Sequence, residues 1–326
     1  MSHIRVDPFT GREVIAGARA PGTGPLDFLK PLDPDVRCRY CPDGEYESGR
    51  EVFSAGASET GTGRKIRVIQ LSGTLSPEEK LEPGEKESGE LPGAGVHEVV
   101  IESPYHKRRI SEVSEEDLGE TLSVYQERIS SIYAENEYVR YVAIFKNQGS
   151  GRQSEHLNTQ ILGLPFIPRD ITEELNRSGD YFINTRRCLG CDVVSNAASG
   201  CECLVEASGS FTGLVPYAPR YPLETHIYPK QHHSTFHEYP GDKLVELASM
   251  LKSLTGRIES IAGEAPVSYV LHTSPRVPAE EFYHWHIEIY PLITCVGGFE
   301  LGNGAYINPM SPEESAEMLR EARVAL

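Results

Sequence analysis

Two stretches of the chain carry apolar residues in alternating steps of three and four. One runs Leu118, Leu122, Tyr125, Ile129, Ile132, and the other Leu244, Leu247, Leu251, Leu254, Ile258, Ile261. That period predicts two helices, each burying one face, with Ser114 and Asp242 as N-caps. Each stripe is followed by a β-like run, at 138–145 and 267–272, and then by a strand that opens on a histidine. These strands read His156-Leu-Asn-Thr-Gln-Ile-Leu162 and His284-Trp-His-Ile-Glu-Ile-Tyr290. Upstream of each stripe a further β-like run, at 97–102 and 225–228, leads to His106 and His232. The separations match: 50 residues from His106 to His156 and 52 from His232 to His284. Repeated landmarks in one order predict an internal duplication. The expected fold is α+β, two tandem units over 1–178 and 179–326, each an antiparallel sheet with a packed amphipathic helix.

Cysteines extend the repeat. Cys38-Arg-Tyr-Cys41 and Cys188-Leu-Gly-Cys191 open the two halves. A Cys-x-x-Cys pair with two distant histidines is a structural zinc pattern, because thiolates and imidazoles suit a tetrahedral ion. Site one is therefore assigned to Cys38, Cys41, His106 and His156, and site two to Cys188, Cys191, His232 and His284, giving two Zn²⁺ per chain. His233 is a neighbouring substitute for His232. A redox dithiol is the competing reading, but it leaves the histidines unexplained. Cys201, Cys203 and Cys295 are expected to be ordinary thiols. One spacing breaks the match: Cys41 to His106 is 65 residues, Cys191 to His232 only 41. The surplus is assigned to a mobile insert over 71–95, rich in Gly, Pro, Ser and Glu.

Composition narrows the function. The 326 residues carry a formal net charge of −17, which argues against a nucleic-acid partner, since that needs a basic surface. No apolar run is long enough for a membrane span, and the N-terminus lacks a secretory leader. A cytoplasmic protein with no membrane partner is the expectation, and the odd count of seven cysteines fits metal chemistry better than disulfides.

Several segments carry a family resemblance. Val6-Asp-Pro-Phe-Thr-Gly-Arg12 with Arg19 and Asp27-Phe28, Gly95-Val-His-Glu-Val-Val-Ile-Glu-Ser-Pro-Tyr-His106, Phe145-Lys-Asn-Gln-Gly149 and His156-Leu-Asn-Thr-Gln160 come from the first half. Pro216-Tyr-Ala-Pro-Arg-Tyr-Pro-Leu-Glu224, His284-Trp-His-Ile-Glu-Ile-Tyr-Pro291, Gly298-Phe-Glu300 and Tyr306-Ile-Asn-Pro309 come from the second. Together they resemble the galactose-1-phosphate uridylyltransferases of the histidine-triad superfamily. The paired Cys-x-x-Cys sites are most similar to archaeal-type uridylyltransferases and ADP-glucose phosphorylase-like proteins. The resemblance implies a nucleotidyltransferase or phosphorylase acting on a nucleoside diphosphate sugar or related nucleotide, with a sugar phosphate or phosphate as acceptor. It also implies a nucleotidyl-histidine intermediate and a homodimer. Arg19, Asn147, Gln153, Ser154, Gln160 and His286 are the implied substrate-binding residues. Some relatives use a different second metal site, which here corresponds to Glu174, His272, His284 and His286.

The chain departs from the family where the nucleophilic histidine is expected, which here is Asn158. An amide does not attack phosphorus as a neutral imidazole does. Three readings stay open: a substitution that traps bound substrate, a non-catalytic nucleotide-binding relative, or a different catalytic residue, for which His286 is the symmetric candidate. Ser154 lies one place nearer His156 than in relatives, and Cys295 stands where they carry a lysine. Arg19 alone represents an N-terminal arginine pair, so base and acceptor sugar are left open.

Overall fold

A computed structural model describes residues 2–18, 38–41, 49–57, 64–71, 73–77, 90–149, 156–263 and 265–323. In chain order the first half contains β1 (His3–Val6), β2 (Glu13–Ala16), β3 (Gly49–Ala57), β4 (Arg64–Leu71), β5 (Glu90–Pro92), β6 (Val96–Ile101), α1 (Glu115–Glu135), β7 (Tyr141–Gln148) and β8 (Asn158–Leu164). There follow α2 (Arg169–Thr185), α3 (Leu189–Ala198), β9 (Leu204–Ala207), β10 (Phe211–Leu214), β11 (Thr225–Pro229), α4 (Leu244–Ala262), β12 (Val267–His272), β13 (His286–Pro291), α5 (Gly298–Asn303) and α6 (Pro312–Glu321).

The duplication is visible in the main sheet, whose ten strands run β3-β4-β6-β8-β7-β12-β13-β11-β10-β9. Read inward from either edge, the order is the same: β3 matches β9, β4 matches β10, β6 matches β11, β8 matches β13 and β7 matches β12. The expected two antiparallel sheets are thus one. They join where β7 pairs antiparallel with β12, Asn147 opposite Ser268 and Phe145 opposite Val270. One face of β7, with Val142, Ile144, Lys146 and Gln148, is buried, while Ala143 and Phe145 on the other are half-buried and Asn147 is exposed; apolar residues on both faces give the two joining strands their continuous apolar runs.

Both predicted helices form and pack against one another across the sheet's centre. Leu118, Leu122, Tyr125, Ile129 and Ile132 of α1, and Leu244, Leu247, Leu251, Leu254 and Ile258 of α4, enter one core with the inward residues of the sheet. Ser114 caps α1, accepting a hydrogen bond from the Asp117 amide. Asp242 does not cap α4. It sits in a 3₁₀ turn, Gly241–Lys243, that runs directly into the helix.

A small sheet, β2-β1-β5, lies apart from the main one. Of the insert expected over 71–95, residues 72 and 78–89 lie outside the described residues. Glu90–Pro92 is strand β5, paired antiparallel with β1. The expected unit junction between residues 178 and 179 falls inside α2. Among the described residues, no helix is long and apolar enough to cross a membrane.

Candidate functional site

Both Cys₂His₂ quartets assemble. Cys41 Sγ lies 3.3 Å from His106 Nδ1 and 3.6 Å from His156 Nδ1, and Cys38 Sγ lies 3.7 Å from His156 Nδ1. In the second quartet Cys191 Sγ is 3.5 Å from both His232 Nδ1 and His284 Nδ1, and Cys188 Sγ is 3.7 Å from His284 Nδ1. Tetrahedral zinc with its usual bond lengths has a sulfur–nitrogen edge of about 3.6 Å, which these separations match, and the ligand atoms of each quartet all lie within 4.8 Å of one another. The outer nitrogens are oriented as metal-bound imidazoles are. His156 Nε2 bonds the Ser103 carbonyl at 2.9 Å, His284 Nε2 the Pro229 carbonyl at 2.9 Å, and His232 Nε2 the Glu280 carbonyl at 2.8 Å.

The thiols themselves favour a cation. Burial opposes ionisation of Cys188, but His232 and His284 pull it down to about 5. Burial and the adjoining Cys188 thiolate push Cys191 up to about 12. Two thiolates side by side repel, and a divalent ion removes that conflict. Among the described residues no disulfide is present. His233 is not part of the quartet and meets the Tyr239 ring edge-on.

Local sequence explains each quartet. Arg186 adopts a left-handed conformation that ends α2, and Cys188 then caps α3, placing both thiols at a helix N-terminus where negative charge is stabilised. Gly190 is required there: a Cβ would come within 2.5 Å of the His284 side chain. In the first half Tyr40 occupies the corresponding place between the cysteines, with its ring edge-on to His156.

Beside the first quartet, Asn158 and Gln160 share one face of β8. Asn158 Nδ2 donates to the His156 carbonyl at 2.8 Å, and its Oδ1 accepts from Gln160 Nε2 at 2.9 Å. His97, which sequence reasoning missed, contacts Gln160 Oε1 through Nε2 at 2.7 Å. Burial holds the His97 imidazole below its usual pKa, so the neutral ring donates and fixes the glutamine with its NH₂ toward residue 158. The signal was available in the strand alternation, since His97, Val99 and Ile101 lie on one face of β6. Asn147, on exposed β7 surface, accepts from Ser268 Oγ at 2.9 Å. Arg19, Gln153 and Ser154 lie outside the described residues.

The second half differs at the matching positions. His286 begins β13 as Asn158 begins β8, and its Nδ1 bonds the His284 carbonyl at 3.1 Å, the counterpart of the Asn158 anchor. Two residues on stands Glu288 in place of Gln160. His272 faces His286 across the strands, as Asn147 faces Asn158 if the β7–β8 register is continued. Glu174 from α2 completes the group. His272 Nδ1 meets Glu174 Oε1 at 2.7 Å, and His286 Nε2 lies 3.4 Å from Glu288 Oε1 and 3.8 Å from Glu174 Oε1. Burial disfavours charge on both partners, yet their contact holds Glu174 down at about 2 and His272 up at about 9.

This corrects the alternative ligand set of Glu174, His272, His284 and His286. His284 belongs to the cysteine quartet, and Glu288 stands in its place in a separate group, Glu174, His272, His286 and Glu288, whose ligand atoms all lie within 4.8 Å of one another. The two groups coexist rather than compete, and the second could also hold a metal ion. It does not suit a nucleophile toward phosphate, because an anion approaching His286 Nε2 would meet two carboxylates. Glu288, missed from sequence, is found by applying to His286 the same two-residue step that links Asn158 to Gln160.

A duplicated antiparallel sheet carrying a helix per half, with a Cys₂His₂ quartet adjoining a polar strand face, is the arrangement that the resemblance to galactose-1-phosphate uridylyltransferases predicts. No family model matches the chain. It is 34% identical to ADP-glucose phosphorylase of Arabidopsis thaliana over 98% of this chain and 92% of that protein. It is 29% identical to galactose-1-phosphate uridylyltransferase of Thermotoga maritima over 71% and 76% of the two chains. The crystal structure of the Arabidopsis thaliana ADP-glucose phosphorylase with bound ADP-glucose superposes with a TM-score of 0.77 at 33% identity, covering 99% of this chain and 100% of that one. The chain belongs to the galactose-1-phosphate uridylyltransferase family, which includes ADP-glucose phosphorylase; its curated members are nucleotidyltransferase-type enzymes.

Proposed function

We propose that this chain binds a nucleoside diphosphate sugar or a related nucleotide on the Asn147–Asn158–Gln160 face, and does so without forming a nucleotidyl-histidine. A sugar phosphate or inorganic phosphate, the acceptor class that the family pattern implies, is bound but not nucleotidylated in the proposal, and Arg19, Gln153 and Ser154 are assigned to the phosphates on the family pattern. Gln160 offers a neutral amide donor fixed by His97, which suits a phosphate oxygen without a mobile counter-charge. The two quartets would hold one zinc ion each, and such an ion ties distant chain segments together and restrains His156 two residues before the site. The division into units 1–178 and 179–326, a homodimer and a cytoplasmic location belong to the same proposal.

The observation that carries it is the hydrogen bonding of Asn158. Its Nδ2 supplies the donor that an imidazole Nδ1–H would give to the His156 carbonyl, so the strand keeps its geometry. Its Oδ1 is held by Gln160, and position 158 itself presents no basic nitrogen to the substrate. Binding is thereby retained while the covalent step is removed.

Incubation with ADP-glucose or UDP-glucose labelled in the α-phosphate tests this. The chain with Asn158 should bind nucleotide and yield no acid-labile label, whereas Asn158→His should accumulate a nucleotidyl-protein toward one per chain. Labelling of the Asn158 chain overturns the role given to that residue. Failure of both proteins to bind or label overturns the nucleotide reading itself.

A further inference from the structure

On the helical face of the sheet a cavity of about 440 Å³ lies where the C-terminal part of α1 meets two loops, the one after His233 and the one after β12. Tyr133, Ser234, Thr235, His237, Ser274 and Arg276 supply its polar lining, and Pro275, Val277 and Pro278 its apolar wall. It does not belong to the nucleotide face. Asn158 and Gln160 point to the opposite side of β8 from Thr159, whose hydroxyl bonds Tyr125 of α1 at 2.6 Å.

Two rings of this lining adjoin, those of Tyr133 and His237, with centroids 6.0 Å apart. The Tyr133 hydroxyl and His237 Nδ1 are themselves turned inward and sealed from solvent, the hydroxyl lying against the Val142 backbone, so the rings and not these atoms face the cavity. The Arg276 guanidinium lies over the Tyr133 ring, 5.6 Å from its centroid, and one of its nitrogens reaches the Asn136 carbonyl at 3.4 Å, leaving further donors of its fork for an anion. Glu280 is the one carboxylate in the lining.

The combination is specific in kind. A guanidinium selects an anion, serine and threonine hydroxyls complement a polyol, and an aromatic and proline wall complements the apolar face of a sugar ring. The space is within the range of small-molecule sites, about 300–1,000 Å³. We propose that this cavity is a second binding site, separate from the nucleotide face, for a small phosphorylated sugar. Its phosphate is held by Arg276, and its hydroxyls meet Ser234, Thr235 and Ser274. The site borders the second metal quartet: Ser234 follows His232 and His233, and the Ser234 carbonyl accepts from the Ser274 amide at 3.0 Å. Occupancy would therefore fix the loop that carries His232.

The chain has a single tryptophan, Trp285, which packs edge-on against Phe236 with ring centroids 5.1 Å apart, next to His237 in sequence. Its fluorescence reports on this loop. Glucose 6-phosphate, inorganic phosphate and glucose should be titrated into the full metal-loaded protein and into two variants. The expected result is a saturable change with glucose 6-phosphate that Gln160→Ala leaves intact and Arg276→Leu weakens about tenfold or more. No saturable response to any of the three compounds up to about 10 mM, a level of affinity too weak for a built site, overturns the proposal. So does a response lost in Gln160→Ala and retained in Arg276→Leu. Equal binding of glucose removes the anion from the assignment, and equal binding of inorganic phosphate removes the sugar; either outcome overturns the phosphorylated-sugar proposal.

Discussion

The two halves of the sheet hold the same metal-ligand framework and different chemistry. Each has a Cys₂His₂ quartet in which one histidine stands two residues before a strand position aimed at a polar face. In the first half that face presents Asn158 and Gln160, uncharged and hydrogen-bonded in series to His97. In the second it presents His286 and Glu288, closed by Glu174 and His272 into a charged group. Arg220 also reaches Glu288, at 2.7 Å, and the Tyr290 hydroxyl bonds the same carboxylate. A duplicated scaffold constrains where side chains stand, not what they are. The amide face can receive phosphate oxygens, whereas the carboxylate-lined one repels them.

Loss of one metal ligand from each half should give the largest effect. Cys41→Ser and Cys191→Ser should each lower bound zinc from two ions to one per chain. Each should also lower the melting temperature by about 10 °C, because a structural zinc contributes several kcal/mol of folding energy. The comparison predicts a further asymmetry. Cys41→Ser should weaken nucleotide binding, since His156 lies two residues before Asn158, while Cys191→Ser should not. Metal analysis showing no change in either variant breaks the model of matched sites, and equal loss of nucleotide binding in both breaks the assignment of that function to one half.

Next in size is a difference beneath the two faces. In the first half Lys146 Nζ meets Glu102 Oε2 at 2.5 Å, both fully buried. Glu102 Oε1 also takes hydrogen bonds from Thr159 and Tyr125. The Tyr125 hydroxyl in turn contacts that of Tyr269 from the second half at 2.8 Å. Continued strand register places Leu271, an apolar side chain, where the second half matches Lys146. Lys146→Met leaves a buried carboxylate unpaired and should cost about 3–5 kcal/mol, whereas adding Glu102→Gln should recover most of that. Denaturant unfolding of the two variants decides the matter. If Lys146→Met costs as little as a surface change, the ion pair is not what distinguishes the first half's core.

Much of this comparison was legible in the chain itself. Apolar steps of three and four located α1 and α4, and histidine spacing located both quartets, because metal ligands and buried helix faces leave periodic marks. The edge-to-edge union of the two sheets was not legible, since β7 and β12 carry apolar residues on both faces and nothing in that pattern says which strand lies beside them. Helix α2, which delivers Glu174, was missed: it is amphipathic but mostly polar, and only Ile171 of its residues is buried, so it carries no long apolar stripe like those of α1 and α4. Asp242 was a reasonable cap by residue type, but the preceding Pro240-Gly241 directs a 3₁₀ turn into the helix start, and a side chain inside that turn has no orphan amide to satisfy.

That last contrast sets the smallest and most local test. The Ser114 side chain accepts from the Asp117 amide at 3.1 Å, one of the amides that helix geometry leaves without an internal partner. Ser114→Ala should destabilise the protein by about 1 kcal/mol. Asp242 makes no side-chain cap bond to α4, whose first amides follow continuous backbone turns. Asp242→Ala should therefore change stability by less than about 0.5 kcal/mol. The acidic side chain near the start of α4 with structural consequence is Glu246, which accepts from the Ser208 hydroxyl and from the Ser210 amide and hydroxyl, each at 2.6 Å. Although burial works against its charge, those donors hold its carboxyl below the usual value of 4.5. A carboxyl depressed in the folded state contributes stability that is complete above its unfolded pKa and is lost as pH falls through the folded one. Glu246→Gln should therefore be destabilising at neutral pH and approach the unsubstituted chain as pH falls from about 4 through the depressed folded value, while Ser114→Ala shifts stability equally across that range. Equal pH profiles for the two variants would mean that both helices are started by the same kind of interaction and that the halves do not differ here.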